Sequence, residues 1–155
     1  MRSKATICCI RQRNKVLLKM ANRGISKGYW NFAGGKIEPH ETPKQNIIRE
    51  VFEETGLRLH TVQENGRMTI HNMPKGQHTI YLYSSCGYIG SLKSTEEGKV
   101  KWFNIKKMPF DEMWDTARYV IPPILNGEKF EAHFYLNRRK KVLKYEIKSS
   151  NGHRN

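Results

Sequence analysis

Residues 35–57 read GKIEPHETPKQNIIREVFEETGL, and the order of charges and chain breakers in this stretch dictates its local structure. Thr42, a residue able to cap, stands before Pro43, Lys44 and Gln45. The proline falls at the first helical position, where no N–H is needed, and a glutamine follows three residues after the cap. Gly56 stands where a residue just past a helix often needs positive φ. The spacing predicts a helix from about Pro43 to about Thr55. With ~3.6 residues per turn, Glu50, Glu53 and Glu54 share one face. Ile48, Val51 and Phe52 lie roughly opposite, with Ile47 on the flank, and are expected to rest on a sheet.

Three crowded carboxylates repel one another, and in the C-terminal half of a helix the dipole disfavours them further. Selection for helix stability alone would not produce this arrangement. A bound cation removes the objection, because hard carboxylate oxygens suit Mg²⁺ or Mn²⁺. The plain alternative is a solvated acidic stripe beside a surface arginine. That alternative leaves unexplained the Gly34-Gly35 pair just upstream and the register of Glu41 and Arg49.

That register carries a resemblance. Gly35, then Glu41 after five residues, Arg49-Glu50 after seven more, then Glu53-Glu54 and Gly56-Leu57 match every fixed position of the Nudix box, G-x5-E-x7-R-E-U-x-E-E-x-G-U with U aliphatic. The chain resembles the Nudix hydrolases, which cleave nucleoside diphosphates linked to another group. The resemblance implies an α/β fold, an α/β/α sandwich around mixed β-sheet. It also implies a Mg²⁺ site (Mn²⁺ as the substitute) made by Glu50, Glu53, Glu54 and the Gly34 carbonyl, with Glu97 as an acidic residue from outside the box. The resemblance also implies a general base, either Glu50 or Glu53, with Glu97 as an outside candidate. Gly35, Glu41, Arg49 and Gly56 have structural roles in the box: Arg49 orients the glutamates and Glu41 braces the loop.

The 155 residues suit one domain, 1–155, with the box at 35–57 and a basic tail from about residue 148. Hydrophobic residues make up 37% of the chain, and no apolar run approaches the ~20 residues of a membrane span. The first ten residues lack the apolar stretch and cleavage site of a signal peptide. Cys8, Cys9 and Cys86 are an odd set, and the adjacent pair should face opposite sides of a strand. Reduced thiols and a cytoplasmic location are the expectation. Lys and Arg number 28 against 14 acids, a net charge of +14, which draws polyanions. Arg138, Arg139, Lys140 and Lys141 form a run, followed by Lys144 and Lys148. A solvated hairpin loop accounts for that run at least as well as a nucleic-acid patch. The expected partner is a nucleotide substrate, with RNA behind it, no membrane, and a monomer as the default state.

Along the chain, 4–10 and 15–20 read as a hairpin, 21–29 as a loop, and 30–33 as a short strand leading into Gly34-Gly35. Beyond the helix, 59–72 and 78–88 read as strands and 100–104 as a short one. Residues 116–125 suggest a helix containing an awkward Pro122-Pro123 pair, and 130–136 with 142–147 a closing hairpin.

Substrate choice lies outside the box. Glu97-x4-Trp102-Phe103, Pro109-Phe110 and Met113-Trp114, with Trp30-Asn31 upstream, resemble the branch of the family that hydrolyses oxidised-purine nucleoside triphosphates, MutT-like in its box. That implies Asn31 bonding the base and Trp114 stacking on it; Arg23, and Lys36 just past the two glycines, are candidates for phosphate contacts. Two adjacent aspartates follow the tryptophan in that branch. Those aspartates read the purine edge; here a single acid, Asp115, precedes Thr116 and Ala117 and is the candidate for that contact. The alternatives are an RNA 5′-pyrophosphohydrolase, cleavage of ADP-ribose or dinucleoside polyphosphates, and a non-enzymatic nucleotide- or RNA-binding module of the same fold.

Overall fold

In the computed structural model, which describes residues 2–73, 76–93 and 99–150, strands and helices alternate much as the pattern of the chain suggests. The elements are β1 (Arg2–Gln12), β2 (Lys15–Met20), β3 (Trp30–Asn31), β4 (Ala33–Lys36), α1 (Pro43–Thr55), β5 (Arg58–Met73), β6 (Gly76–Ile89), β7 (Val100–Asn104), α2 (Ala117–Leu125), β8 (Phe130–Leu136) and β9 (Val142–Ser149). The basic tail expected from about 148 thus begins inside β9, and 151–155 lie outside the described residues, as does Glu97.

The strands join in the order β3-β2-β1-β6-β5-β8-β9, with β4 on β1 and β7 on β2. β1 runs parallel to β6 and β5 parallel to β8, while the other pairings are antiparallel. The sheet is therefore mixed, and a helix covers each face, as the α/β/α expectation required. Alternation along the strands sorts the core. Cys8, Ile10 and Leu17 point to the cluster that contains Ile47 and Val51 of α1. Cys9, Val16 and Leu18 point to the cluster that contains Val120, Ile121 and Ile124 of α2. The adjacent cysteines do face opposite ways, both buried and free; burial raises both thiols, Cys9 to about 12.

α1 begins with a complete capping box. Thr42 Oγ accepts from Gln45 N–H at 3.1 Å, and Gln45 Oε1 accepts from Thr42 N–H at 2.9 Å. It ends at Gly56, φ 82°, whose N–H reaches the Phe52 carbonyl. The buried arc of α1 is Asn46, Ile47, Val51, Glu54 and Thr55. This corrects two expectations. Phe52 is 40% exposed, with the Arg58 guanidinium 4.5 Å from its ring centroid, and Ile47 is wholly buried. The three glutamates are also divided: Glu54 turns in toward the sheet while Glu53 stays in solvent. The reason is the direction from which the sheet meets the helix, which periodicity alone does not set.

α2 keeps Pro122 and Pro123 inside its span. Neither ring has an N–H for the carbonyl four residues back, a loss of about 3 kcal/mol per proline in a helix interior. Ala117, Val120, Ile121 and Ile124 are buried, and full burial of each larger side chain contributes roughly 1.5–3 kcal/mol, so tertiary burial offsets a local cost of the same order.

Candidate active site

Gly34 and Gly35 do not form a turn. They lie within β4, opposite Ile7 and Thr6 of β1. Their lack of side chains permits close approach instead. A Cβ on Gly34 would stand 1.9 Å from the Thr6 carbonyl oxygen, and one on Gly35 would stand 2.1 Å from Glu50 Oε2. The backbone of β4 is thereby pressed against the carboxylates of α1. Glu54 Oε1 accepts the Gly34 N–H at 2.9 Å, and Glu54 also pairs with Lys19 of β2. Glu54 is nearly fully buried, a placement that charged groups tolerate only when paired and hydrogen-bonded.

Arg49 is the hub of the remaining charge. Its Nε donates to Glu41 and its Nη2 to Glu41 Oε1 at 3.0 Å. Nη1 donates to Glu50 at 3.3 Å and to both oxygens of Glu53 at 3.1 and 3.2 Å. Glu41 in turn accepts from Glu38 N–H at 2.9 Å and Asn46 Nδ2 at 3.0 Å, tying the loop before α1 to the helix. Hydrogen bonding to Arg49, chiefly, and then to Asn46 holds the Glu41 carboxyl down at about 2. The same bonds push the Arg49 guanidinium upward.

The repulsion among Glu50, Glu53 and Glu54 is thus relieved by Arg49 and Lys19. Among the described residues no group of three or more His, Cys, Asp or Glu stands ready to hold an ion. The donor set still fits a hard dication in kind: carboxylate oxygens of Glu50 and Glu54 meet the backbone of Gly34 and Gly35, with no nitrogen or sulfur ligand in the group.

A cavity of about 360 Å³ opens beside this cluster. Gly34, Gly35, Lys36, Lys19, Asn31, Ser26 and Trp114 line it, together with apolar residues that include Met68, Ile70 and Ile121. Asn31 Nδ2 donates to the Tyr29 carbonyl at 3.0 Å, and Trp114 Nε1 donates to Ser26 Oγ at 2.9 Å. The structure therefore brings Asn31, Lys36 and Trp114 to one cavity. Arg23 and Asp115 are not among its lining residues. Arg23 is exposed on the loop between β2 and β3. Asp115 accepts from Val142 N–H at 2.9 Å and from Arg118 Nε at 3.1 Å, which makes it an anchor for the β8–β9 hairpin.

Sequence reasoning missed Lys19, Thr116 and the Ser3–His78 pair. All four line the cavity, and Ser3 Oγ is hydrogen-bonded to His78 Nδ1. Lys19 sits opposite Asn31 in the β2–β3 register, a relation visible only once the strands are paired.

Comparison with known proteins identifies the family and the fold. The NUDIX domain model matches residues 1–123, and the chain belongs to the Nudix family. It is a phosphohydrolase of nucleoside-diphosphate-linked substrates. The oxidized purine nucleoside triphosphate hydrolases of Mus musculus and Danio rerio are 29% and 28% identical to it, each alignment covering 92% of both chains. A Nudix hydrolase of Bacillus subtilis (strain 168) is 31% identical over 81% of this chain and 80% of its own. Among solved structures, the MutT protein of Bacillus halodurans superposes with a TM-score of 0.83 at 21% identity, covering 94% of this chain and 97% of that one, a likeness of fold. No helix of the described residues is long and apolar enough to cross a membrane.

Proposed function

We propose that the chain hydrolyses a purine nucleoside triphosphate of oxidised or otherwise noncanonical type, releasing the nucleoside monophosphate and pyrophosphate, with Mg²⁺ or Mn²⁺ as cofactor. The observation that carries this is a single cavity that joins Trp114 and Asn31 to Gly34, Gly35 and Lys36, beside the carboxylates of α1. A base fits the aromatic and amide end, and phosphates fit the glycine end. The two relatives aligned over nearly their whole length, both named for oxidised purine nucleoside triphosphates, support the substrate class.

Glu50, Glu53, Glu54 and the Gly34 carbonyl are the residues that would hold the metal, with Glu97 as an outside contributor. Bound there, it supplies Lewis-acid stabilisation of phosphate charge. Glu50, half-buried against Gly35 and oriented by Arg49, takes the proton of the attacking water, and Glu53 on the same guanidinium is the second candidate for that role. The P–O bond between the α- and β-phosphates breaks as the water oxygen adds. Trp114 stacks on the base and Asn31 meets its edge, while Lys36 neutralises phosphate at the glycine end. Stacking tolerates many bases, so discrimination falls to edge contacts.

The test is pyrophosphate release from 8-oxo-dGTP, 2-hydroxy-dATP, the ordinary deoxynucleotides, ADP-ribose and triphosphorylated RNA. The oxidised purine triphosphates should be turned over fastest. Activity should vanish with chelator and fall by about 10²–10⁴ in Glu50→Gln, the range for loss of a general base. Preference for ADP-ribose, or full activity in Glu50→Gln, would overturn the proposal.

A further inference from the structure

The rim of the cavity carries positive charge that a mononucleotide does not use. The turn between β8 and β9 reads Asn137-Arg138-Arg139-Lys140-Lys141, and the loop from Ala21 to Tyr29 reads ANRGISKGY. Neither segment contains an acid. The turn is tightly folded. Asn137 Oδ1 accepts from Arg139 N–H at 2.8 Å and Lys141 N–H at 3.0 Å, and Lys140 has φ 63°.

That geometry aims Lys140 at the cavity mouth. Its Nζ donates to the Ile25 carbonyl at 3.0 Å and lies 5.1 Å from the Trp114 ring and 5.4 Å from the Tyr29 ring. Ile25, Ser26 and Trp114 all line the cavity. Lys140 therefore docks the basic turn onto the rim and leaves Arg138, Arg139 and Lys141 exposed there. Arg23 and Lys27 extend from the loop to which it docks, also exposed. Asp115 does not cancel this charge, being bonded to Val142 and Arg118.

Four successive cations repel one another, and of the four only Lys140 has a side-chain partner among the described residues. The phosphates of a bound nucleotide belong at the Gly34–Gly35 end, whereas the basic turn borders the Trp114 end. Cations interleaved with aromatic rings at the base end of a nucleotide cavity suit a chain of further nucleotides, whose phosphates and base faces both find partners. We infer that the rim formed by the β8–β9 turn and the loop from Ala21 to Tyr29 binds single-stranded nucleic acid that runs out of the cavity past Trp114. The inference rests on the nucleotide orientation proposed above, not on which bond is cleaved.

The experiment measures fluorescence anisotropy of a 3′-labelled, unstructured RNA of about 12 nucleotides against the full chain and the R138Q/R139Q/K141Q variant, across salt concentrations. Pyrophosphate release from a nucleoside triphosphate is followed in parallel. The variant should bind the RNA about tenfold or more weakly, with the log–log salt slope smaller by about 2, for three cations at ~0.7 each. The charge-conserving R138K/R139K variant should bind like the parent, and mononucleotide hydrolysis should be the same in all three proteins. Equal RNA affinity of parent and R138Q/R139Q/K141Q, or no RNA binding by the parent at low salt, overturns the inference. If neither protein hydrolyses nucleotides but the RNA difference stands, the proposed hydrolysis fails and the nucleic-acid rim survives.

Discussion

Under α1 the site is held by charge, and under α2 it is held by apolar contact. On the first side Arg49 gathers Glu41, Glu50 and Glu53, while Lys19 meets Glu54, so every carboxylate of the cluster has a cationic partner. On the second side Val120, Ile121 and Ile124 close over strand residues, and Val120 and Ile121 give the cavity an apolar wall. The first arrangement has strict geometry, because each hydrogen bond fixes a direction. The second is permissive, because an apolar wall accepts any group of the right shape. On the function proposed above, chemistry and selectivity are therefore separable in this molecule. A change at the α1 end should act on turnover, and a change at the Trp114 end on affinity.

The sharpest way to break that division is at Gly35. Its added Cβ would fall 2.1 Å from Glu50 Oε2, the mobile end of a side chain, so Gly35→Ala should displace the carboxylate rather than the fold. A displacement of about 1 Å at a reacting group costs roughly 10²-fold in rate. The kcat should fall accordingly, with the melting temperature little changed. Gly34→Ala makes the contrast, because its Cβ would strike the Thr6 backbone carbonyl and should lower the melting temperature. Unchanged kcat in Gly35→Ala would show that Glu50 is not part of the chemistry.

At the other end, Trp114→Ala should raise KM by about 5- to 150-fold, matching the ~1–3 kcal/mol of a base stacked on an aromatic ring, and leave kcat nearly intact. Steady-state kinetics separates the two. A fall in kcat with constant KM would mean that the indole positions the reacting phosphate, erasing the distinction between the ends.

The smallest effect concerns pH. Glu41, held at about 2 by its bonds to Arg49 and Asn46, is a carboxylate whose folded value lies below its unfolded one. Its contribution to stability is then fully present above the ordinary glutamate value of about 4.3 and is lost as pH falls toward 2. The melting temperature of the parent should exceed that of Glu41→Gln at pH 6, and the two should converge between about pH 4.5 and 2. A constant gap across that range would assign Glu41 a packing role instead.

Much of this was legible in the chain before folding. The helix Pro43–Thr55, its Thr42 cap and Gly56 terminator, and the strands Val100–Asn104 and Phe130–Leu136 occupy the residues the pattern indicates, because each rests on local propensity or strict alternation. The register of Glu41 and Arg49 was visible in the sequence, but their contact was not read from it. Other features were not legible either. Phe52 looked like a core residue and is exposed. Gly34 and Gly35 stood beyond the short strand read at 30–33 and lie inside β4. Asp115 looked like a ligand to the base and instead caps a hairpin end 27 residues away in sequence. Each mistake concerns which neighbour an element meets, a fact that no single segment contains.

The sequence by itself determined the helix, its limits and the number and order of its acids, since hydrogen bonding within one segment and the ~3.6-residue turn settle those matters locally. Only the tertiary structure decided that Glu54 turns inward to Lys19 and Gly34, and that a basic turn at residues 137–141 reaches the mouth of the Trp114 cavity. Those choices depend on pairing strands and helices far apart in the chain, where burial and charge compensation are shared among segments that cannot specify the outcome alone.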